Sequence, residues 1–491
     1  MATASCEGEG GCTESENMIG TLGNLPDPVV HHIVSFLAIT DLTRFGCVSK
    51  KCRELYLSGP SLNFDEFSLA NTSSCYERMK LLRSLDKFLI HRGENKLHKF
   101  RIRWVPLEYF DHETPCFCGC NEKSRTMAWL HYAVRCNVEV LDLEISIFED
   151  ETPLAFPCCI FLCESLRSLS VDMNCKIQIP SFTFFSNLTY LELTNVEIEE
   201  ESFFKWISQS CKCIEVLNLE DVHGLKNINI ESSSLKSLYF EYTFNQTSIC
   251  HLNISGEKLN NITIVWGFDS PSNKSFNVSA PNLKSFYWVG NLMIHSYMRE
   301  LVGLEEVGFY LEPEEDEIDH VLDDIGTSHK RSFLVIKEDA MKELYKRGIS
   351  PTSFGNICYL RMHIGSFVSD LVPSMVFLFG AMTNLSTLYI KSTPPLYDFG
   401  SNTSGFNMGY WEQQNLGFIY KLKEVTIELS NGSNGMELAR YILEHAQYLE
   451  KMVVVYLPHQ CDIVKRMLDR SKMISSGIVV FKENRCKRKL V

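Results

Sequence analysis

The chain has 491 residues, with Lys+Arg 47 against Asp+Glu 61 and a formal net charge of −14. That balance excludes a general binder of nucleic acid or of an anionic membrane, because affinity for phosphate rests on an excess of Lys and Arg. Hydrophobic residues at 45% and charged residues at 22% exclude disorder as the main state and allow a large core.

Met1 to Asn24 is rich in Gly, Ser, Thr and Glu, has no periodicity, and is expected to be a disordered segment. Glu7, Glu9, Glu14 and Glu16, with no basic or apolar region among them, argue against a signal peptide. The longest apolar stretch, Leu371 to Met382, is broken by Pro373 and falls short of the roughly 20 residues of a membrane helix. An intracellular, reducing setting follows, nucleus or cytoplasm, in which the 19 cysteines are free and mostly small buried hydrophobes. The N-x-S/T sequons at Asn187, Asn253, Asn261 and Asn384 then read as chance matches or turn residues.

From Leu25 to about residue 58 the pattern is helical. Asp27 and Pro28 signal a start, and Val29, Val30, Ile33, Val34, Phe36 and Leu37 recur at helical spacing. Leu42, Phe45, Val48, Leu55 and Leu57 continue in two further short helices. So small a unit has too little interior to bury Leu25, Pro26, Val29, Ile33, Leu37, Leu42 and Val48 by itself, which favours a partner helix filling its groove.

The next region, 97–415, repeats. Leu-x-x-Leu-x-Leu-like segments start at Val138, Leu166, Leu188, Ile214, Leu235, Leu259, Leu283 and Leu304, at intervals of about 21–28 residues, the period of leucine-rich repeats. Leu97 is a plausible first strand. Looser copies follow at Ile357, Leu385, Leu422 and Leu449, after an interruption from Glu312 to Ser353. In each copy positions 1, 4 and 6 are expected in a shared core and positions 3, 5 and 7 outside, the alternation of a short strand. Over 416–481 the order strand, Asn/Gly/Ser turn, helix and strand is expected, with Asn434 capping near the turn, and 482–491 is a basic tail. Arg485-Cys486-Lys487-Arg488-Lys489 reads either as a nuclear import signal or as a solvated basic end.

On the outward side lie Asp142, Glu144, Asp172, Glu192, Glu220 and Glu241, then Tyr239, Tyr287 and Tyr310. In a horseshoe these line the concave sheet, acidic early and aromatic later, and are the candidate target-binding residues. Cys116, Cys118 and Cys120, near His112 and His131, lack the paired spacing of zinc modules and read as a loop with free thiols. Cys158, Cys159, Cys211 and Cys213 are assigned to packing. No nucleophile-elbow, zinc-protease or dinucleotide motif is present, so neither catalytic residues, metal nor cofactor is expected.

The segment LPDPVVHHIVSFLAITDLTRFGCVSKKCREL resembles the F-box. Leu25, Pro26, Val29, Ile33, Ser35, Leu37, Asp41, Leu42, Val48, Ser49, Lys50 and Arg53 match its pattern, while Ala38 and Cys52 stand where Pro and Trp are usual. With the degenerate repeats and the C-terminal LKEVTIELSNGSNGMELARYILEHAQYLEKMVVVY, the layout resembles plant F-box/LRR/FBD-type proteins. The resemblance implies an α/β fold: a three-helix F-box over 25–58, a leucine-rich-repeat solenoid and an FBD-like end. It also implies a non-catalytic receptor subunit of an SCF-type ubiquitin ligase, docked on a Skp1-like adaptor, through it on cullin and RING subunits, and holding a target with its repeats. The alternative is a repeat scaffold whose F-box no longer docks.

Overall fold

The structure, a computed structural model, describes residues 25–37, 39–64, 75–104, 122–145, 153–180, 186–198, 202–242, 249–267, 274–291, 304–311, 332–348, 352–365, 367, 370–392, 406–429, 434–456, 461–462, 464, 466 and 473–483. The expected disordered segment at 1–24 and the basic cluster at 485–489 lie outside them.

Three short helices come first: α1 (Asp27–Val34), α2 (Ile39–Gly46) and α3 (Lys50–Ser58). Pro28 in the first turn of α1 lacks only an N–H that has no helical partner there. Ser49 caps α3, its Oγ accepting from the Cys52 amide at 3.1 Å. Val30, Val34, Leu42, Cys52 and Leu55 fill the small interior.

The chain continues through β1 (Ser61–Asn63), α4 (Cys75–Arg92), β2 (Lys99–Trp104), α5 (Glu122–Arg135), β3 (Val140–Ile145), β4 (Leu154–Ala155), β5 (Ser168–Ile177), β6 (Tyr190–Ile198), α6 (Ser202–Gln209) and β7 (Val216–Glu220). All pairings here are parallel, in the order β1-β2-β3-β5-β6-β7, with β4 beside the far end of β5. These elements and the three helices make one unit, Met1–Leu225.

Within that unit Arg92 fastens the helices to the first strands. It is 2% exposed and solvated by backbone carbonyls. Nη2 donates to Gly59 O at 2.9 Å and Lys96 O at 3.0 Å, and Nη1 to Asn95 O at 2.6 Å and the Tyr132 hydroxyl at 3.1 Å. Tyr132 in turn donates to Gly93 O at 2.7 Å, and burial pushes its pKa up to about 12. Asn95 Nδ2 reaches Leu57 O at 3.3 Å, and the Tyr56 and Phe88 rings meet at 4.6 Å. So α4 covers the side of the helical unit that α3 presents, which is how a core too small to stand alone is completed.

The second unit, Lys226–Val491, contains β8 (Asn227–Glu231), β9 (Ser237–Tyr242), β10 (His251–Ser255), β11 (Asn261–Trp266), β12 (Ser275–Ser279), β13 (Ser285–Gly290) and β14 (Glu306–Leu311). Then come β15 (Phe333–Lys337), α7 (Glu338–Arg347), β16 (Tyr359–Ile364), α8 (Val372–Ala381), β17 (Thr387–Ser392), α9 (Met408–Gln413), β18 (Glu424–Glu428), α10 (Asn434–His445), β19 (Lys451–Tyr456) and β20 (Ile478–Glu483). The main sheet is parallel, in the order β9-β11-β13-β14-β15-β16-β17-β18-β19-β20. A second parallel sheet, β8-β10-β12, replaces helices on the other side of three repeats.

Each predicted segment becomes a strand that starts two residues after the leading apolar residue, and positions 1, 4 and 6 are buried, as in Leu188, Leu191 and Leu193. Three features differ from the sequence expectation. The interval after Glu312 is bridged by β15, paired with both β14 and β16, although Arg331 stands where the leading leucine belongs. Asn187 and Asn384 do more than fill turns: like Asn282, each donates its Nδ2 at 2.7–2.8 Å to a carbonyl of the preceding repeat, Glu164, Gly355 and Glu257 respectively. Asn434 is buried at the start of α10 and donates to Phe367 O at 2.9 Å instead of capping.

Candidate functional site

Helix α1 is apolar on two sides, and its own unit uses one of them. Val30 and Val34 are buried, whereas Leu25, Val29, Ile33 and Phe36 are 36, 44, 41 and 76% exposed. Val29 and Ile33, four residues apart, share one side of the helix, and Leu25 and Phe36 stand just before and just after it. Val48, after α2, is 49% exposed, and Pro26 is exposed beside Leu25. Of the other two predicted docking residues, Leu37 is half-buried and Leu42 is buried in the unit's own interior. Phe36 was legible as part of the helical face, but its exposure, the highest of the four, was not.

In the first unit the register lines the outward side chains into two rows. One runs Asn63, Arg101, Asp142, Ser170, Glu192, Asn218; the other runs Arg103, Glu144, Asp172, Thr194, Glu220. Neighbours in a row are within reach across strands, and here they bond. Arg101 Nε lies 3.1 Å from Asp142 Oδ2, and Arg103 Nε 2.8 Å from Glu144 Oε1. Asn195 donates to Asp172 at 3.0 Å, and Ser170 and Tyr190 donate to Glu192 at 2.7 and 3.0 Å. Burial, and then the charge of Glu192, pushes the Tyr190 hydroxyl up to about 12. Five of the six predicted acidic side chains gather on this face, as a bonded ladder that includes two arginines, while Glu241 lies in the second unit.

In the second unit one row reads Tyr239, Thr263, Tyr287, Gly308, Phe333, Tyr359, Thr387 and the next reads Glu241, Val265, Val289, Tyr310, Val335, Arg361, Tyr389. Val265, Val289, Tyr310 and Val335 form a buried cluster with Phe333 packed against it. Tyr310 and Glu241 are therefore covered instead of facing solvent, Glu241 accepting from Tyr239. At Gly308 a Cβ would stand 2.5 Å from Tyr287 and 2.6 Å from Phe333, whose rings close over the glycine with centroids 6.1 Å apart. Tyr287 donates to Glu306 at 2.9 Å, and burial with that carboxylate raises its pKa to about 12.

Cys116, Cys118, Cys120 and His112 lie outside the described residues, among which no group of three or more His, Cys, Asp or Glu gathers as a metal site. His131 Nδ1 is 3.3 Å from Cys159 Sγ, a thiol whose pKa burial raises. Cys211 is buried as expected, but Cys158 and Cys213 are exposed, so packing does not account for them. No helix of the described residues is long and apolar enough to cross a membrane.

A helical unit precedes parallel strands on a leucine-rich period, and family models match both parts. The F-box domain model matches residues 22–55, and the model described as FBD-associated F-box protein At5g56370, LRR repeats, matches residues 126–302. Two Arabidopsis thaliana proteins of the F-box/FBD/LRR-repeat type are similar over most of both chains. At4g03220 is 24% identical, covering 93% of this chain and 93% of its own. At1g78750 is 23% identical, covering 88% and 89%. Among solved structures, the crystal structure of the TLR13-ssRNA13 complex matches at 13% identity and a TM-score of 0.31; the match spans 80% of this chain and 60% of that one and is too loose to carry an argument.

Proposed function

We propose that this chain is the substrate-receiving subunit of an SCF-type ubiquitin ligase. Residues 25–58 dock a Skp1-like adaptor, and through it cullin and RING subunits, while the repeats over 97–415, followed by an FBD-like segment at 416–481, hold a protein target by the outward face of their strands. The chain supplies proximity and orientation, and the ubiquitin transfer belongs to the recruited enzymes.

The observation that carries this reading is the exposed apolar set of Leu25, Val29, Ile33 and Phe36, on and beside a helix whose Val30 and Val34 are already buried. An unpartnered apolar set at one helix is what a partner helix fills. The set also lies in the segment that the F-box model matches.

The test is co-purification of the full chain with a Skp1-like adaptor beside a Val29→Asp, Ile33→Asp double variant. Both side chains are exposed, so the variant keeps the melting temperature of the parent and loses the adaptor. Retention of the adaptor by the variant, or no complex with either chain, overturns the proposal.

A further inference from the structure

The register of the second unit gathers basic side chains that the sequence order scatters. Lys337 on β15, His363 on β16 and Lys391 on β17 are directly opposed, forming a third row next to the row of Val335, Arg361 and Tyr389. Three strands thus bring Lys337, Arg361, Lys391 and His363 to one part of a face, in a chain whose net charge is −14. Arg361 occupies the position where the covered strip of Val265, Val289, Tyr310 and Val335 ends.

Arg361 is half-buried, its guanidinium stands 4.9 Å from the centroid of the Tyr389 ring, and its Nε is buried with no acceptor among the described residues. The ring fixes the plane of the guanidinium and leaves its donors without a carboxylate among the described residues. Two acidic side chains border the group. Glu428 accepts from the Tyr389 hydroxyl at 3.1 Å, and Glu338 is held by Lys342 at 2.6 Å and by the Gly365 amide at 2.9 Å. The first unit pairs its outward arginines with Asp142 and Glu144 at 3.1 and 2.8 Å, so an outward arginine left without such a neighbour marks a place for a carboxylate or phosphate from elsewhere.

We infer that the outward face of β15–β17 binds an anionic peptide segment, with Arg361 taking one acidic side chain in a two-point contact and Lys391 holding a neighbouring one. The half-buried Phe333 and Tyr359 in the adjoining row supply apolar contact beside the charges. A peptide fits better than a nucleic acid because the chain as a whole repels a long polyanion, whereas a short acidic segment meets only the local field. This inference rests on the receptor reading and names the kind of target segment the repeats hold.

The test measures anisotropy of a fluorescein-labelled octaglutamate peptide, and of an equal-length peptide alternating phosphoserine and glycine, with the full chain at low and at physiological salt. The variants are Arg361→Gln and Lys391→Glu, with Thr194→Asn in the first unit as the control. At least one peptide binds saturably, Thr194→Asn leaves its affinity unchanged, and each charge variant weakens it by about tenfold. Which peptide binds tells a carboxylate-rich from a phosphorylated segment. Lys391 is outside the core, so its variant remains informative even where Arg361→Gln lowers stability. Binding of neither peptide, binding indifferent to both variants, or equal binding of an oligothymidylate overturns the inference. An adaptor pull-down on the same preparations separates the two readings: adaptor without peptide sinks this inference alone, and peptide without adaptor sinks the ligase reading alone.

Discussion

The two units place outward side chains by the same repeat and treat them in opposite ways. Position 7 is Asp172, Thr194 and Glu220 in the first unit and Val265, Val289 and Tyr310 in the second. The first row is half-exposed and bonded to itself, while the second is buried with Val335 in a cluster on the far side of the strands from the main core. Identical inward patterns therefore say nothing about what the outer face is for. One face is a solvated polar ladder; the other is a closed apolar strip that ends at Arg361.

The sharpest way to break that contrast is one substitution at the same repeat position in both units. Val289→Asn buries an amide among Val265, Val335 and the Tyr310 ring, and should cost about 3 kcal/mol in denaturant unfolding. Thr194→Asn, on the polar ladder, should stay within about 0.5 kcal/mol. Equal effects in the two units would mean that the outer faces are alike.

A second, smaller effect tests the aromatic closure. Gly308→Ala drives a methyl group between the rings of Tyr287 and Phe333, where the ideal Cβ is already within 2.7 Å of both. The rings have to part, and overpacking of this kind costs about 1–3 kcal/mol. A neutral result in thermal unfolding would mean that the two rings move freely and that this part of the face is open.

The inner half of this architecture was readable in advance. Leucines at positions 1, 4 and 6 set strand phase, and every strand so predicted pairs in parallel. Among the strands that escaped notice, β12 and β15 lack a leading leucine, whereas β8 carries the full pattern in Leu225, Ile228 and Ile230 and was missed because its start falls between those of β7 and β9. The outer half was unreadable for a different reason. Alternation tells which way Asp142 or Tyr310 points, but its partner sits on another strand, and the segments between strands vary in length. Arg101 and Asp142 are 41 residues apart and still adjacent. Arg92 escaped for the same reason, since the carbonyls that solvate it come from Gly59, Asn95 and Lys96. In the F-box the motif marked the right helices, but only the fold separated Leu42, turned inward, from Val29 and Ile33, turned out.

The smallest effect bears on the ladder itself. Arg103 and Glu144 are 48% and 37% exposed, so water screens a pair that is otherwise well placed at 2.8 Å. A double-mutant cycle with Arg103→Gln and Glu144→Gln should return a coupling of about 0.5 kcal/mol that fades in about 1 M salt. Such a value means that the first unit's carboxylates are held loosely and can exchange Arg103 for a basic group on a partner. A coupling above about 2 kcal/mol that survives salt would place the pair effectively out of water. The ladder would then be as closed as the valine strip, and a target would find its charged contacts around Arg361 instead.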